Sequence, residues 1–313
     1  YADYLQWVAA ADAPGDPWDI VLSDGYVYIA SHDSGVQVFD ISSPALPQFV
    51  ASVQTPGVAR SLAKSANLIL AANWEFGLQI IDVTDPHSPY IVGSVDTPNT
   101  ALGVAASGLY AYVADYVSGL QSIDFSDPAN PRIIASLDTP GLAHGVGVDG
   151  GLAFVAGHVS GLHVVDIADP TNPRLLGTMD TPGESWAVAV AGGGVFLADT
   201  SGLYVIDGSD PAHPLLVGSA AAGGRSVSVY GSYCYIGGTI VDVNDPTVPA
   251  IMAVLPLPCP TAGVVVSGVY AFIACHDSGL QVVDVTNTAN PQAAGSLYMP
   301  ARDIASSNGY AYV

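Results

Sequence analysis

The sequence predicts an all-β fold, a β-propeller of eight four-stranded blades, and three observations lead there. One phrase returns along the whole chain: Gly35-Val-Gln-Val-Phe-Asp40, Gly77-Leu-Gln-Ile-Ile-Asp82, Gly119-Leu-Gln-Ser-Ile-Asp124, Gly161-Leu-His-Val-Val-Asp166, Gly202-Leu-Tyr-Val-Ile-Asp207, a shortened Gly238-Thr-Ile-Val-Asp242, and Gly279-Leu-Gln-Val-Val-Asp284. Its spacing is about 42 residues, in the range of propeller blades. Each unit also carries four short apolar runs bounded by turn residues, with no helical periodicity.

The third unit shows each element in turn. Leu102-Gly-Val-Ala-Ala106 is small and apolar, as the crowded strand nearest a central channel must be. Tyr110-Ala-Tyr-Val-Ala114 alternates aromatic and small residues and forms the second strand, and the Gly-Leu-Gln phrase forms the third. Arg132-Ile-Ile-Ala-Ser-Leu137 forms the outer strand. First strands begin near Trp18, Arg60, Leu102, His144, Trp186, Arg225, Ala262 and Arg302, which makes eight, against seven copies of the phrase. Leu5-Gln-Trp-Val-Ala9 with Asp12-Ala-Pro-Gly15 aligns with Arg132 to Gly141, so the N-terminal strand is expected to close the last blade and leave no open edge. The whole chain, 1-313, is then one domain, with blades at 16-56, 57-98, 99-140, 141-182, 183-222, 223-258, 259-300, and 301-313 completed by 1-15. Seven blades is the alternative.

Composition narrows the function classes. The 313 residues carry 6 Lys and Arg against 28 Asp and Glu, a net charge of -22, and half of them are hydrophobic. Such a chain is neither disordered nor a coiled coil. It has too few cations for a nucleic-acid partner or an anionic membrane surface. Gly, Asp, Ser or Pro interrupts every apolar run short of a membrane span, so no membrane insertion is expected. Lys64 is the single lysine and cysteines are few, which suits an exported bacterial protein, extracellular, at the cell surface or periplasmic. Tyr1 to Ala13 has no basic start followed by an apolar stretch, so no signal peptide is expected within the sequence. Cys234, Cys259 and Cys275 lack metal spacing and read as buried free thiols.

Leu78-Gln-Ile-Ile-Asp-Val83, Leu162-His-Val-Val-Asp-Ile167 and Leu280-Gln-Val-Val-Asp-Val285, each followed by Asp-Pro or its equivalent, resemble the LVIVD repeat of bacterial and archaeal surface-associated β-propellers. The resemblance implies the fold over nearly the whole chain. It implies no activity, because that family is defined by a structural repeat.

A repeated chain supplies its own control. The acid that ends the third strand, Asp40, Asp82, Asp124, Asp166, Asp207, Asp242 and Asp284, is present in every copy, and with the Asp-Pro pairs it reads as turn chemistry. Two other columns vary. The turn between second and third strands holds His32, Trp74, Tyr116, His158, Thr200 and His276 in successive copies. The position opening the first strand holds Trp18, Arg60, Leu102, His144, Trp186, Arg225, Ala262 and Arg302, so three of six basic residues share it.

Arginines gathered at one funnel need an answering anion or carboxylate, and Asp19, Glu184 and Asp303 stand beside the column. The expected site therefore binds an anionic small molecule, an acidic glycan or a protein through Arg60, Arg225, Arg302, Trp18, Trp186, Trp74, His32 and His276, with no metal and no cofactor. The alternative is an enzyme on the same face that acts on an acidic polysaccharide by β-elimination. There the arginines neutralise a uronate, and His144, His158 or Tyr116 transfer the proton. A weaker variant, a metal-dependent lactone hydrolase, needs His32, His158 or His276 to converge with Asp115 or Asp199. No nucleophile elbow, phosphate loop or zinc-protease motif is present, and Gly192-Gly-Gly194 reads as a turn. Binding is the favoured reading.

Overall fold

The computed structural model describes residues 17–32, 34–40, 48–254, 261–267, 270–275, 279–289, 291–297, 305–307 and 310–312. All regular structure among them is strand. Seven four-stranded antiparallel sheets and one two-stranded sheet follow one another along the chain, and within each the strands pair in sequence order. The third sheet comprises Gly103–Ser107, Tyr110–Ala114, Leu120–Asp124 and Arg132–Leu137, matching the four expected runs. No described helix is long and apolar enough to cross a membrane. Leu5 to Ala9, His276, Cys259, Arg302 and Asp303 lie outside the described residues.

The first strands build the axis. Pro17–Ser23 packs against Ser61–Ser65, that strand against Gly103–Ser107, and so on through Gly145–Asp149, Ser185–Ala191, Val227–Tyr230 and Thr261–Ser267 to Ala305–Ser307, which itself touches Pro17–Ser23. No sheet closes on itself. The sheets are held to each other by side-chain packing, in which the second and third strands of one meet the first and second of the next. Leu70, Ala72, Leu78 and Ile80 of the second sheet thus share a core with Ala101, Val104, Ala111 and Val113 of the third. Each aliphatic side chain fully buried there contributes about 1.5–3 kcal/mol.

Two recurrent devices set the spacing. In all seven four-stranded sheets the register slips by one residue between third and fourth strands, as between Ser122 and Ile123 or Val164 and Val165. This bulge bends and twists the outer strand. Opposite it stands Gly or Ala, and at Gly177 a Cβ would meet Pro214 Cδ at 2.5 Å and the Pro211 carbonyl at 2.6 Å. The outer strand is therefore kept bare so that the next repeat's Asp-Pro turn can lie on it.

The turns explain the repeated acids. Asp82 Oδ1 accepts the Thr84 amide at 2.8 Å and Asp85 Oδ1 the His87 amide at 3.0 Å. The pair recurs at Asp124 and Asp127, Asp166 and Asp169, Asp207 and Asp210, and Asp242 and Asp245. Bonds from Ser126 and then Arg132 hold the Asp124 carboxyl down at about 2. Cys234 is a buried free thiol, pushed up to about 12 by burial. Gly192 and Gly193, at φ 58 and 81, make the expected turn.

Candidate functional site

The two variable columns of the sequence form one layer. In the second-to-third-strand turns, His32, Trp74, Tyr116 and His158 all adopt left-handed backbone, with φ of 37, 50, 48 and 59. Each forms an isolated bridge to the residue just ahead of the next sheet's first-strand position: His32 to Ala59, Trp74 to Ala101, Tyr116 to Ala143 and His158 to Ser185. Ala143 N donates to the Tyr116 carbonyl at 2.8 Å, and Ser185 N to the His158 carbonyl at 2.9 Å. A turn residue of one repeat is thereby seated between the first-strand residues of its own repeat and the following one.

Side chains follow the backbone. Tyr116 meets His144 edge-on at 5.8 Å, and His144 stacks on His158 at 4.9 Å with 22° between the rings. His158 and His144 both stand edge-on to Trp186, at 5.4 and 4.6 Å. The Arg225 guanidinium carbon then lies 4.4 Å from the centre of the Trp186 ring. A second run repeats the motif: His32 stacks on Trp18 at 6.0 Å, and Arg60 lies 4.3 Å over Trp18. Each arginine thus sits on the tryptophan that holds its own position one repeat earlier. A guanidinium held over an aromatic face gains cation–π attraction and keeps its N–H edges in the ring's margin, where an oxyanion can accept two of them.

The charges converge. Burial first, then His158, then the guanidiniums of Arg60 and Arg225 hold the His144 imidazole down at about 4. His144 is therefore neutral at physiological pH and too weak a base to remove a carbon-bound proton efficiently there, which counts against its proton-transfer role. The two described acids beside the column also bind other groups. Asp19 Oδ2 accepts the Leu62 amide at 2.6 Å. Glu184 reaches His158 Nε2 at 3.4 Å rather than Arg225. Arg225 makes no ion pair with any described residue.

Among the described residues, which do not include His276, no group of three or more His, Cys, Asp or Glu is placed to hold an ion. Asp115 is turned inward to accept Thr97 Oγ1 at 2.6 Å and the Asn99 amide at 2.9 Å, and burial raises its pKa. Asp199 likewise accepts Thr181 Oγ1 at 2.6 Å and the Ser201 amide at 2.7 Å. Both clamp their own turns.

Other expected residues keep distinct places. Trp74 is half-buried, at the same station in its repeat as the His32 and His158 rings in theirs. Thr200 instead accepts the Glu184 amide at 2.9 Å and fastens the fifth turn. His276 and Arg302 are outside the described residues. The sequence reading missed Phe76, Val117 and Val159, exposed on these same turns beside Trp74, Tyr116 and His158. Their signal was an apolar residue in a turn whose other copies carry Asp or Ser.

The fourth repeat departs from the rest. Gly157 stands where Asp115 and Asp199 do, and His163 replaces the glutamine of the repeated phrase. A Cβ on Gly157 would collide with the His163 ring. His163 Nε2 lies 2.9 Å from Ser160 Oγ and 2.8 Å from the Pro140 carbonyl. Thr139, lacking the acid that Thr97 and Thr181 bond, has a buried hydroxyl with no hydrogen bond. This Ser–His contact is closed inside the turn, with His163 only 1% exposed, and serves packing.

Comparison with known proteins agrees with this architecture. The family described as LVIVD repeat matches at residues 14–55, 56–97, 99–139, 140–181, 182–222, 223–254 and 260–298. Comparison with curated proteins gives no match. Among solved structures, the chain is similar to the computationally designed Ika8 protein, with TM-score 0.76, 10% identity, and coverage of 96% of this chain and 93% of that one. It is also similar to BamB from Moraxella catarrhalis, with TM-score 0.70, 12% identity, and coverage of 94% and 90%. The β-propeller domain of Cps50 (Swd1) from Myceliophteria thermophila gives TM-score 0.67, 11% identity, and coverage of 87% and 96%. At such identities these likenesses establish a β-propeller fold and nothing of activity.

Proposed function

Since the chain belongs to the LVIVD repeat family, whose shared feature is a blade and not a reaction, we propose that it is a non-catalytic binding propeller whose funnel face holds an anionic ligand. One observation carries this reading: two of the six basic residues in a chain of net charge -22, Arg60 and Arg225, are both seated on indole rings and both act on His144. A guanidinium seated on an indole keeps N–H groups at the ring's margin, where an oxyanion can accept them. The ligand class is an acidic glycan or a small carboxylate or phosphate, received by guanidinium edges and bordered by Trp74, Phe76, Val117 and Val159.

The same reading takes the ring as eight blades, the last completed by the N-terminal strand, and sets the protein outside the cytoplasm. The contact of Ala305–Ser307 with both Thr261–Ser267 and Pro17–Ser23 supports the blade number. The single Lys64 and the sparse cysteines support export.

A thermal-shift panel tests the function. Polygalacturonate, a sulfated glycan, phosphate and small carboxylates are each added to the wild type and to the Arg60→Gln, Arg225→Gln double variant. A ligand of the native state at a hundred times its Kd stabilises by about 2.7 kcal/mol. The expected result is a rise in midpoint for at least one anion in the wild type alone. No rise with any of them removes the proposal and leaves the arginines as packing groups.

A further inference from the structure

The outermost strands carry a surface that the repeat itself does not explain. Each fourth strand ends its sheet, so its outer row of N–H and C=O groups has no ladder partner among the described strands. In the third sheet this strand opens on Arg132 and is followed by the exposed Asp138, and in the fourth it opens on Arg174 and is followed by the exposed Asp180. Charge at an edge keeps one chain from adding to another. The fifth and sixth sheets lack it. Leu215–Ala220 and Ala250–Val254 contain no charged residue in a chain of net charge -22, and Ala221 and Pro256 take the places of Asp138 and Asp180.

Apolar residues also occupy polar stations there. In the turn before the outer strand, the residue whose amide donates to the Asp carbonyl is Ser88, Asn130, Asn172 and His213 in the second to fifth repeats, and Val248 in the sixth. Ser94, Ser136, Thr178 and Ser219 stand at the register position where the sixth sheet has Val254. Leu215 likewise takes the place of Tyr90, Arg132 and Arg174. Leu215, Val248 and Val254 are 63%, 70% and 67% exposed, and Leu216 and Ile251 are exposed beside them. The patch is continuous, because the turn that carries Val248 lies on the outer strand of the fifth sheet: a Cβ on Gly218 would collide with the Pro246 carbonyl and with Pro249. Contiguous apolar surface of this kind marks an interaction site.

A second copy of the chain is the partner that fits. An open strand edge is answered by another strand, and an edge run antiparallel to itself about a two-fold axis meets its own hydrogen-bonding row and its own apolar side chains. Charge selects the sixth sheet for this. Asp242 and Asp245 precede its outer strand, whereas no acid follows Val254 until Asp277. Antiparallel pairing therefore sets the acidic end of one copy beside the uncharged end of the other. The same pairing in the third sheet brings Asp127 toward Asp138, and in the fourth Asp169 toward Asp180, which like charge opposes.

We infer that two copies join edge to edge through Ala250–Val254, flanked by Leu215, Leu216 and Val248, into a two-fold dimer. The joint uses the outermost strand and none of the first-strand layer, so it stands or falls independently of anion binding.

Sedimentation velocity over about 1 to 200 μM tests this on the wild type, Val254→Lys, the Val248→Asn, Val254→Ser double variant, and Tyr90→Lys. The double variant carries only residues that other repeats hold at those stations, and melting curves verify the folding of all three. The expected result is a dimer with a Kd on the order of 10 μM or tighter in the wild type. Val254→Lys and the double variant should weaken it about tenfold or more, and Tyr90→Lys, on the outer strand of the second sheet, should leave it unchanged. Added salt should preserve or tighten the dimer, since it screens the repulsion between two acidic bodies. Amide exchange over residues 250–254 should slow at dimer-forming concentrations, which marks strand pairing rather than side-chain contact alone. A monomer at every concentration, a dimer indifferent to both Val254 variants or lost with Tyr90→Lys, a dimer dissolved by salt, or exchange at 250–254 that does not change with concentration overturns the edge joint.

Discussion

The guanidinium of Arg225 lies over the ring of Trp186, the residue that occupies its own column one repeat earlier, and Arg60 lies in the same way over Trp18. A repeated backbone makes this relationship available at every pair of adjacent repeats. Only two described pairs use it.

His144 reports on both arginines. Its proton NMR titration should centre near about 4 in the wild type. In Arg60→Gln or Arg225→Gln it should move up toward the ordinary value of 6.5, by less than the whole difference because burial remains the first cause. A midpoint indifferent to both substitutions would show that the guanidiniums do not share its space.

The same imidazole sets an acid limit on stability. Its folded pKa lies below the unfolded 6.5, so the unfolded chain takes the proton first. Stability is intact above 6.5, falls as pH drops from 6.5 to about 4, and loses no more from this group below that. A difference of that size corresponds to roughly 3 kcal/mol. The turn carboxylates Asp82, Asp169, Asp207, Asp210 and Asp245 are held below 3.8, so their contribution is lost only as pH falls below that value. Urea unfolding at half-unit pH steps should show the upper part of this decline removed in His144→Phe and the lower part unchanged.

Trp74 separates binding from stability. A non-glycine residue at φ 50 carries backbone strain of about 1–2 kcal/mol, which glycine relieves. Trp74→Gly should therefore cost little in melting midpoint for so large a truncation, within about 3 °C of the wild type. Glycan affinity, measured by titration with digalacturonate, should fall by about tenfold or more if the indole receives the sugar face. A large drop in midpoint would mark Trp74 as a packing residue.

The fourth repeat offers a compensated pair. Gly157→Asp alone should lose about 2 kcal/mol or more, because its side chain enters the His163 ring. His163→Gln alone should be milder. The double variant restores the arrangement at Asp115 and gives the Thr139 hydroxyl a partner, as Thr97 has at 2.6 Å. Urea denaturation should give the double variant a stability above that of Gly157→Asp by at least about 1 kcal/mol more than additivity allows.

The strands were readable in the sequence because each repeat states them again, and a bulge such as that at Val164 does not disturb the alternation on either side. The site was readable as two columns and unreadable as one layer. His144 and Tyr116 belong to different repeats, and their contact depends on the bridge from Tyr116 to Ala143, which needs a left-handed tyrosine that no local pattern announces. Trp18 and Trp186 were expected to face a ligand, and their rings also meet arginine and imidazole. That assignment required the partners of the next repeat. Asp19 and Glu184 stand beside the column, and the Leu62 amide and the His158 ring are contacts of theirs that the sequence did not announce.

The bridges from Trp74 to Ala101 and from Tyr116 to Ala143 run through main-chain atoms alone, so the position after each alanine is a socket whose backbone is fixed whatever side chain fills it. Leucine, histidine, tryptophan and arginine already occupy such sockets around one axis. A lineage built on this plan can exchange one side chain for another on this face by single codon changes, without inserting or lengthening a loop, and a protein engineer can do the same with a library confined to one residue per repeat.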